Sequence, residues 1–269
     1  MEFLIFPIAL LFVLGLAIGS FLNVVIYRTV HGESFVKGRS HCPHCMKKIS
    51  WYDNIPLLSF LLLHGHCRHC KKTISWAYPT VEFITGTLFV WWFFLSVFVF
   101  RLSQAPFHFL QPVFWLTVGV LLVFVFFADV LYGIIPDGAV IALTGAAFAY
   151  RTALAVSGVM RPQDYAMSVA SAFGACFLFY VLWELTKRKG IGFGDVKFAF
   201  PLGLLLGWPN ILVGLFLSFV FGAVFGIASL VLKKKKFGQT LPFGPFLVIG
   251  TVVTLMFGNR LVQWYLTLL

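Results

Sequence analysis

Eight blocks of predominantly apolar sequence, at roughly 3–26, 79–100, 110–130, 137–156, 165–186, 195–208, 211–232 and 244–266, decide most of what this chain can become. A helix needs about 20 such residues to cross a bilayer. Backbone groups in lipid must be satisfied within the chain, which leaves helices or a closed barrel. The alternating pattern of barrel strands is absent from these blocks. The expected fold is an all-α polytopic membrane protein with about eight transmembrane helices. Composition agrees: 60% of the 269 residues are hydrophobic and 11% are charged, against about half and about a quarter in a soluble domain. The first block is too long for a removable signal and lacks a basic leader. The block after Asp195 is short and is expected to be tilted or broken. Turn signals at Gln104-Ala105-Pro106, Ile135-Pro136-Asp137, Arg161-Pro162, Trp208-Pro209-Asn210 and Leu241-Pro242 separate the later blocks.

Charge sets the orientation, because loops rich in Lys and Arg stay on the cytoplasmic side. With the N-terminus outside, the inner segments hold Arg28, Lys37, Arg39, Lys47, Lys48, Arg68, Lys71, Lys72, Lys187, Arg188, Lys189, Lys197 and Lys233 to Lys236, which is 16 of the 20 basic residues. Arg101, Arg151, Arg161 and Arg260 remain outside. The net charge of +11 then reads as topology plus attraction to anionic lipid. The basic residues are spread over several loops, so nucleic acid is not an expected partner.

One long polar segment interrupts the apolar pattern, and it repeats itself. HCPHCMKKISW (His41 to Trp51) and HCRHCKKTISW (His66 to Trp76) agree at eight of eleven positions, 25 residues apart. Each copy carries a C-x2-C, giving Cys42, Cys45, Cys67 and Cys70. Thiols on the cytosolic side stay reduced, so disulfides are not expected. Four thiolates from two knuckles suit a structural zinc ion, which would supply folding free energy to a segment with little core. His41, His44, His64, His66 and His69 crowd the same stretch, and one of them replacing a cysteine is the alternative ligand set. A tetra-cysteine site has no open coordination position, so it reads as structural rather than catalytic. Cys176 stands alone in an apolar block and reads as packing.

Acids inside membrane-spanning blocks are expensive and become candidates for chemistry. Glu82, Asp129, Asp137, Glu184 and Asp195 meet that description. Asp129 ends LLVFVFFAD and Asp195 sits in GIGFGDVKFAF at the start of a block, so both fall at the inner ends of helices. Two carboxyls at one depth can share a proton. One then acts as a general base on water while the other donates to the substrate, which is aspartic protease chemistry. Gly192 and Gly194 would let a substrate backbone come close. The bland alternatives are that Asp195 caps its helix or pairs with Lys197. Asp137 at a helix start favours the dipole and reads as structural. Glu82 and Glu184, near the inner interface, are not excluded by spacing. Gly15-x3-Gly19, Gly203-x3-Gly207 and Gly222-x3-Gly226 read as helix-packing surfaces, and Asn23 as a hydrogen bond to a neighbouring helix.

Taken together, GSFLNVVIYR (Gly19 to Arg28), the tandem-cysteine stretch from Cys42 to Gly86, ADVLYGIIPD (Ala128 to Asp137) and GIGFGDVKFAFPLG (Gly190 to Gly203) resemble the type IV prepilin peptidases over nearly the whole chain. The resemblance implies a bifunctional leader peptidase and N-methyltransferase of the GxGD membrane aspartyl proteases, with Asp129 and Asp195 as its catalytic pair. The family often has a second acid two residues after the first aspartate, where this chain has Leu131. Implied substrates are membrane-inserted prepilins and type II secretion pseudopilins, met at the cytoplasmic face of the bacterial inner membrane. The implied methyl donor is S-adenosylmethionine. No glycine-rich loop for it is evident, and its site is expected near the cysteine loop with no residue assigned. The expected organisation is a first transmembrane helix at 1–27, a cytoplasmic zinc-binding loop at 28–78 and a peptidase core at 79–269. Rival readings are a leader peptidase without methyl transfer, a transporter with intramembrane acids, and a non-enzymatic zinc-containing assembly protein.

Overall fold

The computed structural model describes residues 2–34, 36, 38–98, 107–188, 190–232 and 241–267. Of the sequence features above, Lys37, Arg101, Lys189, Lys233 to Lys236 and the turn Gln104-Ala105-Pro106 lie outside the described residues. The described chain is helical: α1 (Glu2–Val30), α2 (Leu58–Leu62), α3 (Ala77–Phe98), α4 (Phe107–Tyr132), α5 (Asp137–Val156), α6 (Pro162–Leu185), α7 (Phe193–Leu206), α8 (Asn210–Val231) and α9 (Gly244–Leu266). The eight long helices fall on the eight apolar blocks. Among the described residues, six of them, α1, α4, α5, α6, α8 and α9, are long and apolar enough to cross a membrane. Among the described residues the expected eight spanning helices are thus corrected to about six by length and composition. Helix α3, 22 residues long and apolar along most of its length, stands outside that count and packs along α1. Helix α7 has 14 residues and rises roughly 21 Å, short of a hydrocarbon core about 30 Å thick.

The chain divides into two compact units, residues 1–124 and 125–269. In the first, α1 and α3 pack at close range because glycine lines the seam. A Cβ on Gly19 would lie 2.7 Å from the Glu82 Cα, and one on Gly15 would lie 2.8 Å from the Gly86 Cα. Small residues let backbones approach in this way. Asn23 donates to the Tyr78 carbonyl at 3.0 Å, joining the end of α1 to the start of α3 as expected. Gly19→Leu is expected to cost about 1–3 kcal/mol by forcing the helices apart. Thermal unfolding in detergent checks this, and an unchanged Tm would mean that the seam is not under packing constraint.

In the second unit α7 is the central element, with ten of its 14 residues buried. Gly203 abuts the Ala172 backbone of α6, and a Cβ on Gly214 of α8 would lie 2.6 Å from Leu206 of α7. A helix surrounded by protein on most faces has no lipid thickness to match, which is why 14 residues suffice. The third glycine pair departs from expectation: Gly222 lies against Phe243 and Phe246, but Gly226 has open space around it.

Candidate active site

The repeated phrase folds twice into the same knuckle. The Cys42 N–H donates to the Lys47 carbonyl at 3.0 Å and the Met46 N–H to the Cys42 carbonyl at 2.9 Å. Twenty-five positions on, Cys67 N–H meets Lys72 O at 2.8 Å and Lys71 N–H meets Cys67 O at 3.0 Å. Met46 and Lys71 share a left-handed backbone, at φ 55° and 57°, and His41 pairs with Lys48 as His66 does with Thr73. The two knuckles bring the Cys42, Cys45, Cys67 and Cys70 sulfurs within 4.8 Å of one another, with Cys42 and Cys70 at 3.9 Å. Sulfurs bound tetrahedrally to zinc at about 2.3 Å lie about 3.8 Å apart. The group fits a metal ion with four soft thiolate donors. Backbone N–H groups favour the thiolate: that of Cys70 is the main cause drawing Cys67 down to about 7. Among the described residues no histidine joins these four sulfurs, so the alternative of a histidine ligand is set aside. The His66 ring bonds the His64 carbonyl, and His41 meets the Tyr27 ring edge-on.

The loop that carries the knuckles is tied down by charge. Buried Arg28, at the end of α1, donates to the carbonyls of Ser34 and Arg39. Arg68 grips Asp53 with two nitrogens, at 2.7 to 3.1 Å. Glu82, one of the five candidate acids, is buried in α3 and accepts the Leu57 N–H at 2.8 Å. It anchors a loop residue with φ 57° to α3. That role was not readable from spacing, since Leu57 has no polar side chain.

In the second unit, Asp129 and Asp195 come from separate helix ends and are both buried, 5% and 6% exposed. Asp129 lies in the last turn of α4. The helix stops when Gly133, at φ 67°, returns its N–H to the Asp129 carbonyl at 2.9 Å. Asp195 is the third residue of α7. Each carboxyl is held by one backbone N–H. Gly244, first residue of α9, donates to Asp129 Oδ2 at 2.8 Å, and Gly192 donates to Asp195 Oδ2 at 3.1 Å. Helix N-termini supply such donors because their first N–H groups lack helical partners. The capping role of Asp195 is therefore real, but it uses one oxygen. Asp195 Oδ1 is buried and has no hydrogen-bond partner among the described residues.

Ile135 sits between the two carboxyl-bearing ends. A Cβ on Gly194 would lie 3.1 Å from the Ile135 Cβ, and one on Gly244 would lie 3.2 Å from its Cδ1 and 2.6 Å from Asp129 Oδ2. Gly194 thus makes room for Ile135, and Gly192 for the Asp195 carboxylate, at 3.2 Å from a built Cβ. Both contacts are internal to the chain. The other acids are engaged at the surface. Asp137 is exposed and paired with Lys197, and Glu184 lies 3.6 Å from Arg188. Lys197 accordingly serves Asp137, not Asp195. Sequence reasoning missed Gly244 as an Asp129 donor. Its signal was the Gly-Pro pair opening the last apolar block, which marks a helix start.

Comparison with known proteins bears on both units. The model of the bacterial peptidase A24 N-terminal domain matches residues 13–96, and that of the type IV leader peptidase family matches 115–227. The prepilin leader peptidase/N-methyltransferase of Aeromonas hydrophila is 32% identical over 96% of this chain and 93% of its own length. That of Legionella pneumophila is 30% identical over 94% and 92%. That of Myxococcus xanthus is 37% identical over 86% of this chain and 65% of its own length. No solved structure matches the chain. Similarity of this order, carried along both units and nearly end to end, means that the chain belongs to the type IV leader peptidase family.

Proposed function

We propose that the protein cleaves the leader from membrane-inserted prepilins and type II secretion pseudopilins with Asp129 and Asp195 as the catalytic pair. One observation carries the reading. Two buried carboxyls from separate helix ends lie in one unit on either side of Ile135, and each accepts one backbone N–H. A proton shared by the pair leaves one carboxylate to take a proton from water as it attacks the scissile carbonyl. The protonated partner donates to the carbonyl oxygen; the proton taken from water then passes to the leaving amine as the diol intermediate returns its own to the partner, which restores the pair. The free Oδ1 of Asp195 is the oxygen available for that traffic. The N–H groups of Gly244 and Gly192 fix the carboxyls and take no part in proton transfer. In this reading the inner ends of α4 and α7 face the cytoplasm of a bacterial inner membrane, where a basic leader remains outside the bilayer and the following apolar helix lies within it. The loop of residues 28–78 is the zinc-binding part, and residues 79–269 carry the peptidase core.

The second activity rests on the relatives' names, which join leader peptidase to N-methyltransferase. Methyl transfer from S-adenosylmethionine to the amine freed by cleavage is the consistent sequel. Zinc in the tetra-cysteine site would be held by Cys42, Cys45, Cys67 and Cys70 and would brace the loop. All four coordination positions are then filled by protein, so it takes no part in either reaction.

Gly244→Ala tests the positioning of Asp129 directly. Its methyl would overlap Oδ2, at 2.6 Å, so the carboxyl must shift. Cleavage is expected to fall roughly 10- to 100-fold, with thermal stability and metal content near those of the parent. A variant that cleaves at the parental rate would show that the Asp129 position is not critical and would weaken the dyad reading.

A further inference from the structure

The segment between α1 and α3 is polar overall, yet it turns large apolar side chains outward. Trp51 is 80% exposed and Trp76 73%, and Leu61 and Leu62 of α2 are 66% and 67% exposed. These side chains form a connected surface. The Ser59 hydroxyl of α2 donates to the Tyr52 carbonyl and accepts the Ile55 N–H, both at 2.9 Å, joining α2 to the turn at Trp51–Asn54. Phe60 of α2 meets the Trp76 ring edge-on at 4.8 Å. Each tryptophan closes one copy of the repeat, and exposed lysines precede it: Lys47 and Lys48 before Trp51, Lys71 and Lys72 before Trp76.

Where the segment is attached decides what it meets. It leaves α1 at Val30 and re-enters α3 at Ala77, and the bond from Asn23 to the Tyr78 carbonyl holds those two helix ends together. The segment therefore hangs over one small area of membrane surface. Indole rings prefer the headgroup level, where one edge is apolar and the other wet. Lysines beside them are drawn to an anionic leaflet. The same four lysines disfavour a basic peptide as occupant.

We propose that Trp51, Trp76 and α2 lie in the headgroup region of the bilayer, held there by Lys47, Lys48, Lys71 and Lys72 on anionic lipid. The metal knuckles then rest on the membrane surface instead of projecting into water. This requires α1 and α3 to be embedded in the bilayer and does not depend on the peptidase reading.

The test uses the full chain in phosphatidylglycerol-containing vesicles, with lipids brominated near the glycerol end of the acyl chain. The contribution of Trp51 and Trp76 is the difference between the parent and W51F/W76F, with metal content measured for each. Shallow bromine is expected to quench these two tryptophans and aqueous iodide to leave them largely unquenched. Neutral vesicles, high salt, or K47Q/K48Q/K71Q/K72Q should lower the bromine quenching by roughly twofold or more. If the lysine variant loses its metal, the salt and lipid series on the parent decides alone. Quenching by iodide and not by bromine would overturn the proposal in favour of a solvated surface. Protection from both quenchers would overturn it in favour of a protein partner, whether a prepilin or a second copy of this chain.

Discussion

Asp129→Asn and Asp195→Asn are each expected to lower cleavage of a membrane-inserted prepilin by about three orders of magnitude, with the fold and metal content intact. Asparagine is the right probe because it keeps an acceptor oxygen. The Gly244 N–H can still bond position 129 at 2.8 Å, and the Gly192 N–H position 195 at 3.1 Å. What is lost is the exchangeable proton. The double variant should be no worse than either single one, because residues that act as a unit are not additive. Methylation of an already cleaved peptide should survive both changes, which separates the two activities in one preparation. Near-parental cleavage by either variant would make that aspartate structural. Glu82, Asp137 and Glu184 would then come forward, although Asp137 and Glu184 are already paired with Lys197 and Arg188.

A Cys67→Ser variant should lose its metal and unfold its loop. Structural zinc contributes about 10–16 kcal/mol to the folding of small metal-dependent segments, and a serine cannot replace one of four thiolates. The metal content of the purified protein is expected to fall from about one zinc per chain to near none. Residues 38–76 should become protease-sensitive while α1 and α3 stay folded, since glycine packing and the Asn23 bond hold those two helices together. A strong chelator should reproduce the effect on the parent. His44→Ala is the control and should keep its metal, because the four sulfurs are grouped without a histidine. Full metal content in the serine variant would sink the tetra-cysteine assignment.

Helix positions were legible because lipid leaves a chain few alternatives. Hydropathy placed all eight long helices to within a few residues. It overstated the number of spanning helices because length alone does not tell a helix that crosses lipid from one surrounded by protein. Helix α7 is the second kind, and its buried Gly203 and Leu202 look in sequence like any other apolar run. The knuckles were legible because a duplicated C-x2-C leaves its mark twice. Asp129 and Asp195 were legible as candidates because carboxyls in apolar blocks are rare. Their supports were not. Gly244 lies 115 positions from Asp129 and acts through its N–H, which every residue but proline carries. The same holds for Leu57 and Glu82. Backbone donors leave no signature in composition, so the geometry that orients the acids emerged only with the fold.

The duplicated knuckle also constrains how the protein is made. Each copy supplies two sulfurs, and neither copy alone presents the four that the ion needs. The nascent chain must therefore extend past Cys70 before the site can close. Helix α1 has left the ribosome by then, whereas α3, from Ala77 onward, emerges after the last of the four cysteines. Metal capture is thus positioned to come after insertion of the first helix and before that of its packing partner. In a cell short of the metal α1 and α3 could still pair, but the loop between them would stay unclosed.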